Sequence, residues 1–310
     1  MQWLDPRNDF LFKRILGAEE NRTVLRDFIN AVFEDADEPT VTEVEVLNPA
    51  IDPEALSDKA SLLDIKARTA DGVLIDVEIQ MVNHRDMEKR TLYYWAKLFG
   101  QQLERGDDYR GLHRTVTINV LDFSYIPGQV CHTTYAVREA TTGHRLTDLL
   151  EIHFVELPKR QEQPPRRARL AQWLLFLTTR REEELEVLRV ADPIFQRAVE
   201  TLEYLSQDPV AREAFLAREK GRQTYRADIE GSREEGREEG RQEGREEGRQ
   251  EGREEGREEG REEGREEGRQ EGREAARKQT AANLLAMGLS VDQVAAATGL
   301  SPAEVDAVRP

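Results

Sequence analysis

An α/β fold, a mixed sheet flanked by helices, is predicted by three features of the sequence. The first is a β-hairpin over residues 62–81, in which two runs of alternating apolar and polar residues are joined by Asp71-Gly72. The second is a pair of amphipathic helices before the hairpin. The third is a helix followed by further strands after it. This order of elements suits a sheet with helices packed on its faces.

Before the hairpin, helices are predicted over residues 8–16 and 21–33, and a strand over residues 41–47. The first helix has an apolar side, as expected of a helix that packs against a core. That side is formed by Phe10, Phe12, Ile15 and Leu16.

The hairpin has one apolar face and one polar face, because side chains alternate along a strand. Asp64 and Lys66 share the polar face of the first strand. Asp76, Glu78 and Gln80 share that of the second. A row of acids repels itself unless a cation lies beside it, so the pattern favours a divalent metal. The alternative is an ordinary solvent-facing strand, because short acidic motifs of this kind also arise by chance.

After the hairpin, a helix is predicted over residues 85–103, followed by strands over 114–123, 130–137 and 152–157. The helix carries a broad apolar face that we expect to pack on the core. Its members are Leu92, Tyr93, Trp95, Ala96, Leu98 and Phe99.

A helical extension follows, in which four segments have helical spacing and no residues typical of site chemistry. Proline begins two of the segments, at a position where its fixed φ is tolerated. The segments are residues 168–178, 182–188, 193–205 and 209–226.

Residues 231–272 form a low-complexity repeat of Glu, Gly and Arg without an apolar residue. Glycine recurs every four residues from Gly236 to Gly272. Each glycine costs a helix about 1 kcal/mol relative to alanine, whereas each Glu–Arg pair returns only about 0.2–0.5 kcal/mol. This balance favours a flexible charged linker. A long single helix is the competing interpretation. Because a repeat of four residues does not match the 3.6 residues of a helical turn, the glycines of such a helix would wind around its axis and would give no continuous face for a coiled coil.

The tail, residues 273–310, again contains apolar residues at helical spacing. Ser290 is a predicted helix cap, and the stretch GLSVDQVAAATGLSPAEV is typical of a helix-turn-helix. Its last helix carries Glu304 and Asp306 ahead of Arg309, which is a poor surface for phosphates. A small interaction module is therefore favoured over a DNA-reading one.

Composition excludes several other classes of protein. The net charge of −17 argues against indiscriminate binding to nucleic acid, which depends on basic patches. Cys131 is the single cysteine, so internal disulfides and multi-cysteine metal sites are excluded. No run reaches the ~20 apolar residues of a membrane span, and the start lacks the pattern of a signal peptide. We therefore expect a cytoplasmic protein without a membrane partner or small-molecule cofactor.

Several separate segments match one known family in order and spacing over roughly residues 1–160. They are DPRNDFLFKRIL from Asp5, NRTVLRDFINAV from Asn21, VLNP from Val46, KRTLYYWAKLF from Lys89, QQLERGDDY from Gln101 and TINVLDF from Thr117. Together with the acidic hairpin, these segments resemble the Rpn family, the recombination-promoting nucleases or transposases of the PD-(D/E)xK superfamily. The Glu/Gly/Arg repeat is also common in that family.

The resemblance implies a restriction-endonuclease-like fold and a DNA endonuclease of the recombination-promoting or transposase-like type that depends on Mg²⁺ or Mn²⁺. Asp64, Glu78 and the carbonyl of Ile79 would hold the metal, which activates a water for attack on the phosphodiester. Gln80 stands where many superfamily members have lysine. Its carboxamide can orient the water but cannot take its proton, which leaves the general base unassigned. Asp9 would complete the acid cluster, or else only stabilise its own helix end.

Basic residues near these segments are candidates for charge stabilisation and DNA contacts. Lys66 and Lys13 are the candidates for stabilising charge at the site. Each basic cluster could equally be a solvated edge. The proposed DNA contacts are Lys13, Arg14, Lys89 and Arg90.

A second class of function is non-enzymatic: a nuclease fold that has lost turnover and serves as a DNA-binding or assembly module. Convergence of Asp64, Glu78 and Gln80 would favour the enzyme. Self-association of the chain is left open. The predicted organisation has four parts: a nuclease-like domain (1–160), a helical extension (161–230), the repeat linker (231–272) and a small helical tail (273–310).

Overall fold

Six strands form one mixed sheet in the computed structural model, which describes residues 3–47 and 65–309. The strands are β1 (Val44–Val46), β2 (Ile65–Thr69), β3 (Leu74–Gln80), β4 (Thr115–Leu121), β5 (His132–Ala136) and β6 (Leu150–Glu156). Their order in the sheet is β1-β2-β3-β4-β6-β5. Strands β3, β4 and β6 run parallel to one another in the middle of the sheet, whereas the pairs on either side, β1–β2–β3 and β6–β5, are antiparallel.

Helices account for the rest of the architecture. They are α1 (Asp9–Leu16), α2 (Arg22–Asp35), α3 (Met87–Gly100), α4 (Ala168–Thr178), α5 (Glu182–Ala191), α6 (Pro193–Gln207), α7 (Pro209–Ala286), α8 (Val291–Thr298) and α9 (Pro302–Ala307). The prediction of a mixed sheet flanked by helices, with a helical extension after it, is confirmed.

The predicted hairpin is present as β2 and β3, which pair antiparallel with Lys66 opposite Asp76. Gly72 lies in the connecting turn at φ +90°, a conformation that side chains with a Cβ rarely adopt. A Cβ at this position would also lie 2.6 Å from Nδ1 of His113. The Asp-Gly turn therefore fixes the register, and the register decides which side chains share a face.

Both faces of β3 are buried, which differs from the half-buried strand that its alternation predicted. Ile75, Val77 and Ile79 belong to the main hydrophobic core. The polar face lies under α3: Thr91 Oγ1 donates to Asn119 Oδ1 on β4 at 3.2 Å. The difference arises because β3 is an inner strand, and parallel inner strands are covered on both sides.

Helix α3 carries a smaller apolar face than its sequence predicted. Its buried residues are Met87, Thr91 and Leu98, whereas Leu92 and Tyr93 are 49% and 64% exposed. The prediction of a broad core face was wrong for these two residues and for Ala96, which is also exposed. The side of α3 that meets the sheet must accommodate a polar row, and Thr91 does so through hydrogen bonds.

The helical extension packs directly on α2. Trp173 on α4 meets Phe28 edge-on, with ring centroids 5.5 Å apart, and its indole donates to Asp27 at 2.8 Å. Residues of α4, α5 and α6 lie in the same hydrophobic cluster as the sheet. The compact unit that contains the sheet accordingly runs from Met1 to Arg226.

The Glu/Gly/Arg repeat is helical, as part of the 78-residue α7. The structure thus has the competing interpretation, a long single helix, over residues 231–272 instead of the favoured flexible linker. The helix continues from packed ends: Ala211 is buried in the main core, and Ala281 is buried in a second cluster with α8 and α9. Nucleation, the unfavourable step in forming a helix, is thus supplied outside the repeat. Helix propensities summed over the repeat alone leave this contribution out.

The second compact unit runs from Ala227 to Pro310 and ends in two short helices. Ser290 and Ser301 each form a capping box at the start of α8 and α9. Val294, Leu300 and Val305 form its small core with Ala281. Among the residues that the structure describes, no helix is both long and apolar enough to cross a membrane.

Candidate active site

Glu78 and Gln80 lie side by side at the end of β3, because residues two apart on a strand share a face. Both side chains are buried, with 3% and 6% of their surfaces exposed. Nε2 of Gln80 donates to Oε2 of Glu78 at 3.3 Å. The same carboxylate oxygen lies 3.5 Å from Nε of Arg90 on α3. A carboxylate is thus held in a fixed position between an amide and a guanidinium.

A cleft of about 240 Å³ opens at the carboxyl end of β3. In open α/β sheets this end of the parallel strands is the usual place for a ligand. Asp9 from α1 reaches the cleft together with Ile79 and Gln80, so three of the predicted site residues lie around one opening. We call this opening the β3 cleft. Its other lining residues are Asn8, Met81, Val82, His84, Arg218, Glu219, Arg222 and Tyr225.

Asp9 is paired rather than pointing freely at a metal. Nε of Arg218 on α7 lies 3.1 Å from its Oδ1. The preceding residue, Asn8, caps α1 by accepting from the Phe10 amide at 3.2 Å. Asn8 also donates to Glu219 at 3.4 Å. The start of α1 is therefore joined to α7 by polar contacts at the mouth of the cleft.

Asp122, which directly follows β4, is a residue of this region that the sequence analysis missed as a site candidate. Its amide donates to the carbonyl of Gln80 at 2.9 Å, and its carboxylate accepts from Arg7 at 2.5 Å. Burial raises the pKa of Asp122, and the charge of Arg7 offsets this only in part. Burial acts in the same direction on Asp5, but hydrogen bonds from Arg7 and Arg180 outweigh it, so the pKa of Asp5 is lowered.

Asp64, the other proposed carboxylate ligand, lies outside the described residues, so its convergence with Glu78 and Gln80 stays a prediction. The register pairs Lys66 with Asp76, two residues before Glu78 on the same face. Opposite charges in this arrangement attract across the strands. Lys13 lies in the last turn of α1 and is half-buried.

The proposed DNA contacts have different surroundings. Lys89 is exposed on α3, and Arg14 is half-buried in the last turn of α1. Arg90 is 23% exposed, and its guanidinium lies 3.5 Å from the carboxylate of Glu78. Its charge is therefore close to Glu78 and only partly accessible to solvent. The DNA contacts of these four residues stay a prediction.

Helix α7 contributes four lining residues, although the sequence analysis assigned no site chemistry to this segment. They are Arg218, Glu219, Arg222 and Tyr225. Tyr225 lies with its hydroxyl 2.5 Å from Nδ1 of His84 in the loop after β3. A sequence signal was present, since Arg218, Arg222 and Arg226 recur at intervals of four and must share one side of a helix.

The ligand atoms at this site are of the type that binds a divalent cation, but the described residues supply few acidic side chains to hold one. The Glu78 carboxylate, the Ile79 carbonyl and the Gln80 carboxamide offer oxygen atoms, which Mg²⁺ prefers. Within residues 3–47 and 65–309, however, no three His, Cys, Asp or Glu side chains are grouped to hold a metal. The predicted ligand set also includes Asp64, which lies outside these ranges.

Comparison with known proteins identifies the family. No curated protein and no solved structure matches the chain. The family model described as PD-(D/E)XK nuclease family transposase matches residues 6–232, which include the whole sheet, the β3 cleft and the part of α7 that lines it. PD-(D/E)XK nucleases generally use divalent metals and act on DNA. The chain belongs to the PD-(D/E)XK nuclease family of transposases.

Proposed function

We propose that this protein is a metal-dependent DNA endonuclease of the recombination-promoting type, with its active site at the carboxyl end of β3. The observation that carries the proposal is the position of Glu78 and Gln80: a buried carboxylate and an amide, 3.3 Å apart, lie beside a cleft at the end of parallel strands. Family membership supports the same reaction class, the hydrolysis of a phosphodiester bond.

Each residue has a role in the proposed reaction that follows from its chemistry. Glu78, the Ile79 carbonyl and Asp64 would hold the metal, with Mg²⁺ expected and Mn²⁺ as a substitute. When bound, such an ion lowers the pKa of a coordinated water and stabilises charge on the leaving oxygen. Gln80 orients the attacking water through its carboxamide. It cannot accept the proton, because an amide does not titrate in this range.

Cations complete the proposed site. Lys66 balances the acidic row from β2, and Lys13 stabilises charge from α1. Asp9 is proposed as a further acidic group at the mouth of the cleft. It would have to leave Arg218, 3.1 Å away, before it could approach a metal.

Plasmid cleavage tests the proposal. Supercoiled DNA is incubated with the wild type in Mg²⁺, with the wild type in EDTA, and with Asp64→Ala and Glu78→Gln in Mg²⁺. We expect nicking or linearisation in the first sample alone. Glu45→Gln is the matched control, because Glu45 is an exposed residue on β1 and its loss should leave cleavage unchanged. Full cleavage by purified Asp64→Ala would exclude this site.

A second candidate function, a catalytically inactive DNA-binding or assembly module, is favoured by one observation. The Oε2 atom of Glu78 already has Gln80 at 3.3 Å and Arg90 at 3.5 Å, so its charge is balanced without a metal. Calorimetric titration with Mn²⁺ separates the two candidates independently of activity. Binding that is lost in Glu78→Gln but kept in Glu45→Gln supports the enzyme. Absence of binding supports the inactive module.

A further inference from the structure

Three arginines form a stripe along the part of α7 that lies by the β3 cleft. Arg218, Arg222 and Arg226 are four residues apart, and such positions lie on one side of a helix. Between positions 218 and 226 the chain has four basic residues, which include Lys220, and one acidic residue, Glu219. A locally positive stretch is unusual in a chain whose net charge is −17.

The arginine stripe follows the rim of the cleft from α1 to the loop after β3. At its start, Arg218 pairs with Asp9, and its guanidinium lies 5.3 Å from the centre of the Phe10 ring. At its end, Arg226 donates to the carbonyl of Met81 at 3.4 Å. Arg222 lies between them and lines the cleft with Gln80.

Among the described residues, the contacts of Arg222 and Arg226 are with α7 itself and with a backbone carbonyl, so neither arginine has an ion-pair partner on a strand of the sheet. The carboxylate that pairs with Arg222 is Glu219, one turn earlier on the same helix. The partner of Arg226 is a neutral carbonyl. Arg222 is 21% exposed, and Arg226 is an exposed residue. The charge of Arg222 also acts on Asp122 beside the end of β4, where it opposes the rise in the pKa of that carboxyl.

We propose that Arg222 and Arg226 hold the phosphate backbone of DNA against the carboxyl end of β3. This inference rests on the proposed nuclease function and adds to it the residues that position the substrate. Guanidinium groups bind phosphate through paired hydrogen bonds. Residues four apart on a helix are separated by about 6 Å along its axis, while each strand of duplex DNA has a phosphate about every 3.4 Å along the duplex axis. The two side chains can therefore contact different phosphates.

Arg218 has a different role, which is to position the stripe. Its ion pair with Asp9 and its stacking on Phe10 fix α7 to α1. The segment thus belongs to the active site even though it follows the sheet by more than fifty residues in the sequence.

Salt-dependent DNA binding tests the proposal without requiring cleavage. Binding of a short fluorescein-labelled DNA duplex is measured by fluorescence anisotropy in EDTA over a series of salt concentrations. Arg222→Gln and Arg226→Gln are compared with Lys220→Gln. The control removes one positive charge from the same helix, and position 220 lies about 200° around the axis from position 222.

We expect each arginine variant to bind about tenfold more weakly, the effect of losing one charged hydrogen-bonding contact. The slope of log K against log salt should also fall in magnitude by about 0.9 for each lost phosphate contact on duplex DNA. Lys220→Gln should stay within about twofold of the wild type. Arg222→Lys should recover part of the affinity, because lysine keeps the charge but not the planar fork.

An unchanged salt slope in both Arg222→Gln and Arg226→Gln would overturn the proposal, and so would an equal loss in Lys220→Gln. Because Arg226 is exposed, its variant should fold even if Arg222→Gln does not. If the wild type cleaves plasmid while the slopes are unchanged, the phosphate contacts are wrong and the nuclease function stands. If the wild type neither binds DNA nor cleaves it, both proposals fail.

Discussion

At the scale of single residues, the carboxylate of Glu78 needs compensation for its burial under α3. A buried charge without a partner is strongly destabilising, and Arg90 provides a guanidinium 3.5 Å away. Arg90 was also a candidate DNA contact, and the two roles predict different results when the side chain is shortened.

We expect Arg90→Gln to lower the free energy of unfolding in EDTA by about 1–3 kcal/mol, because it leaves Glu78 without its cation. Lys89→Gln removes the same charge from the neighbouring, exposed position and should change stability by less than about 0.5 kcal/mol. Urea denaturation of the wild type and both variants gives the comparison. Equal stability of the two variants would show that Arg90 does not compensate Glu78.

A second buried polar group lies away from the cleft and connects α2 to β5 and β6. Nδ1 of His132 is 2.7 Å from the carboxylate of Asp35, and its Nε2 is 3.0 Å from Nδ1 of His153. Nε2 of His153 is 2.8 Å from Glu151. These three hydrogen bonds require three protons, one more than two neutral imidazoles carry.

The protonation states in this group follow from burial and charge. Burial lowers the pKa of His153, so its ring is neutral. Burial opposes ionisation of Glu151, but its bond to His153 and the charges of Arg114 and Arg145 lower its pKa to about 2. Neutral His153 donates from Nε2 to the ionised Glu151 carboxylate, so its Nδ1 accepts from Nε2 of His132.

Stability should consequently fall with acidification in two stages. Below the ordinary histidine pKa of 6.5, the unfolded chain takes up a proton at residue 153 that the folded protein excludes. Between the ordinary glutamate pKa of 4.5 and about 2, the stabilisation from ionised Glu151 is lost.

We expect urea denaturation at a series of pH values to show a smaller first decline in the stability of His153→Gln than in that of the wild type. His144→Gln, at an exposed position, is the control. Identical pH profiles in all three proteins would refute this assignment.

At the scale of elements, the Glu/Gly/Arg repeat is a part of α7 that buries no side chain against the rest of the described structure. All residues from 231 to 272 are exposed in the structure. Helices in proteins owe most of their stability to packing of an apolar face, which this segment lacks. Its helical hydrogen bonds should therefore open far more often than those of a packed helix.

We expect backbone amides of residues 231–272 to exchange with solvent much faster than those of α6, which has six buried residues. Gly252→Ala with Gly256→Ala should slow that exchange, because each change favours the helix by about 1 kcal/mol. Space is available, since nothing lies within 4 Å of a Cβ at either position. Hydrogen exchange with mass spectrometry measures both effects. Slow exchange in the wild type would mean that a partner or a second copy of the chain holds the segment.

At the scale of the whole molecule, the division at residue 226 separates the candidate chemistry from the tail. All described residues of the β3 cleft precede it. By contrast, the predicted division near residue 160 cuts through packed contacts, because Trp173 of the extension is fully buried against Phe28. The four-part organisation remains a proposal, and truncation tests it.

We predict that deletion of residues 231–310 leaves folding and metal-dependent cleavage intact, while it alters self-association or the choice of cleavage site. Deletion of residues 161–310 should instead give an unfolded or aggregating protein, because it exposes the core surface that α4 and α6 cover. Circular dichroism and plasmid cleavage are measured on both fragments. Loss of cleavage in the first fragment, with its fold retained, would place essential chemistry in the tail.

The sequence by itself determined the elements and the faces of the hairpin. Alternation and the Asp-Gly turn predicted β2, β3 and the shared face of Glu78 and Gln80, because strand periodicity and turn chemistry are local properties. The segments that resemble the nuclease family were equally local, and family membership is now shown. Proline and serine signals likewise placed the starts of α6 and α8.

Tertiary structure alone decided what surrounds those side chains. Three contacts join segments that are distant in the chain or lie on different elements. They are the contact of Arg90 with Glu78, the approach of Arg222 to the cleft and the His132–His153 pair. Periodicity gives the face on which a residue lies but not the element that covers this face. The packing of helices and strands decides which element covers it, and here the acidic row of β3 lies buried under α3 and does not face the solvent.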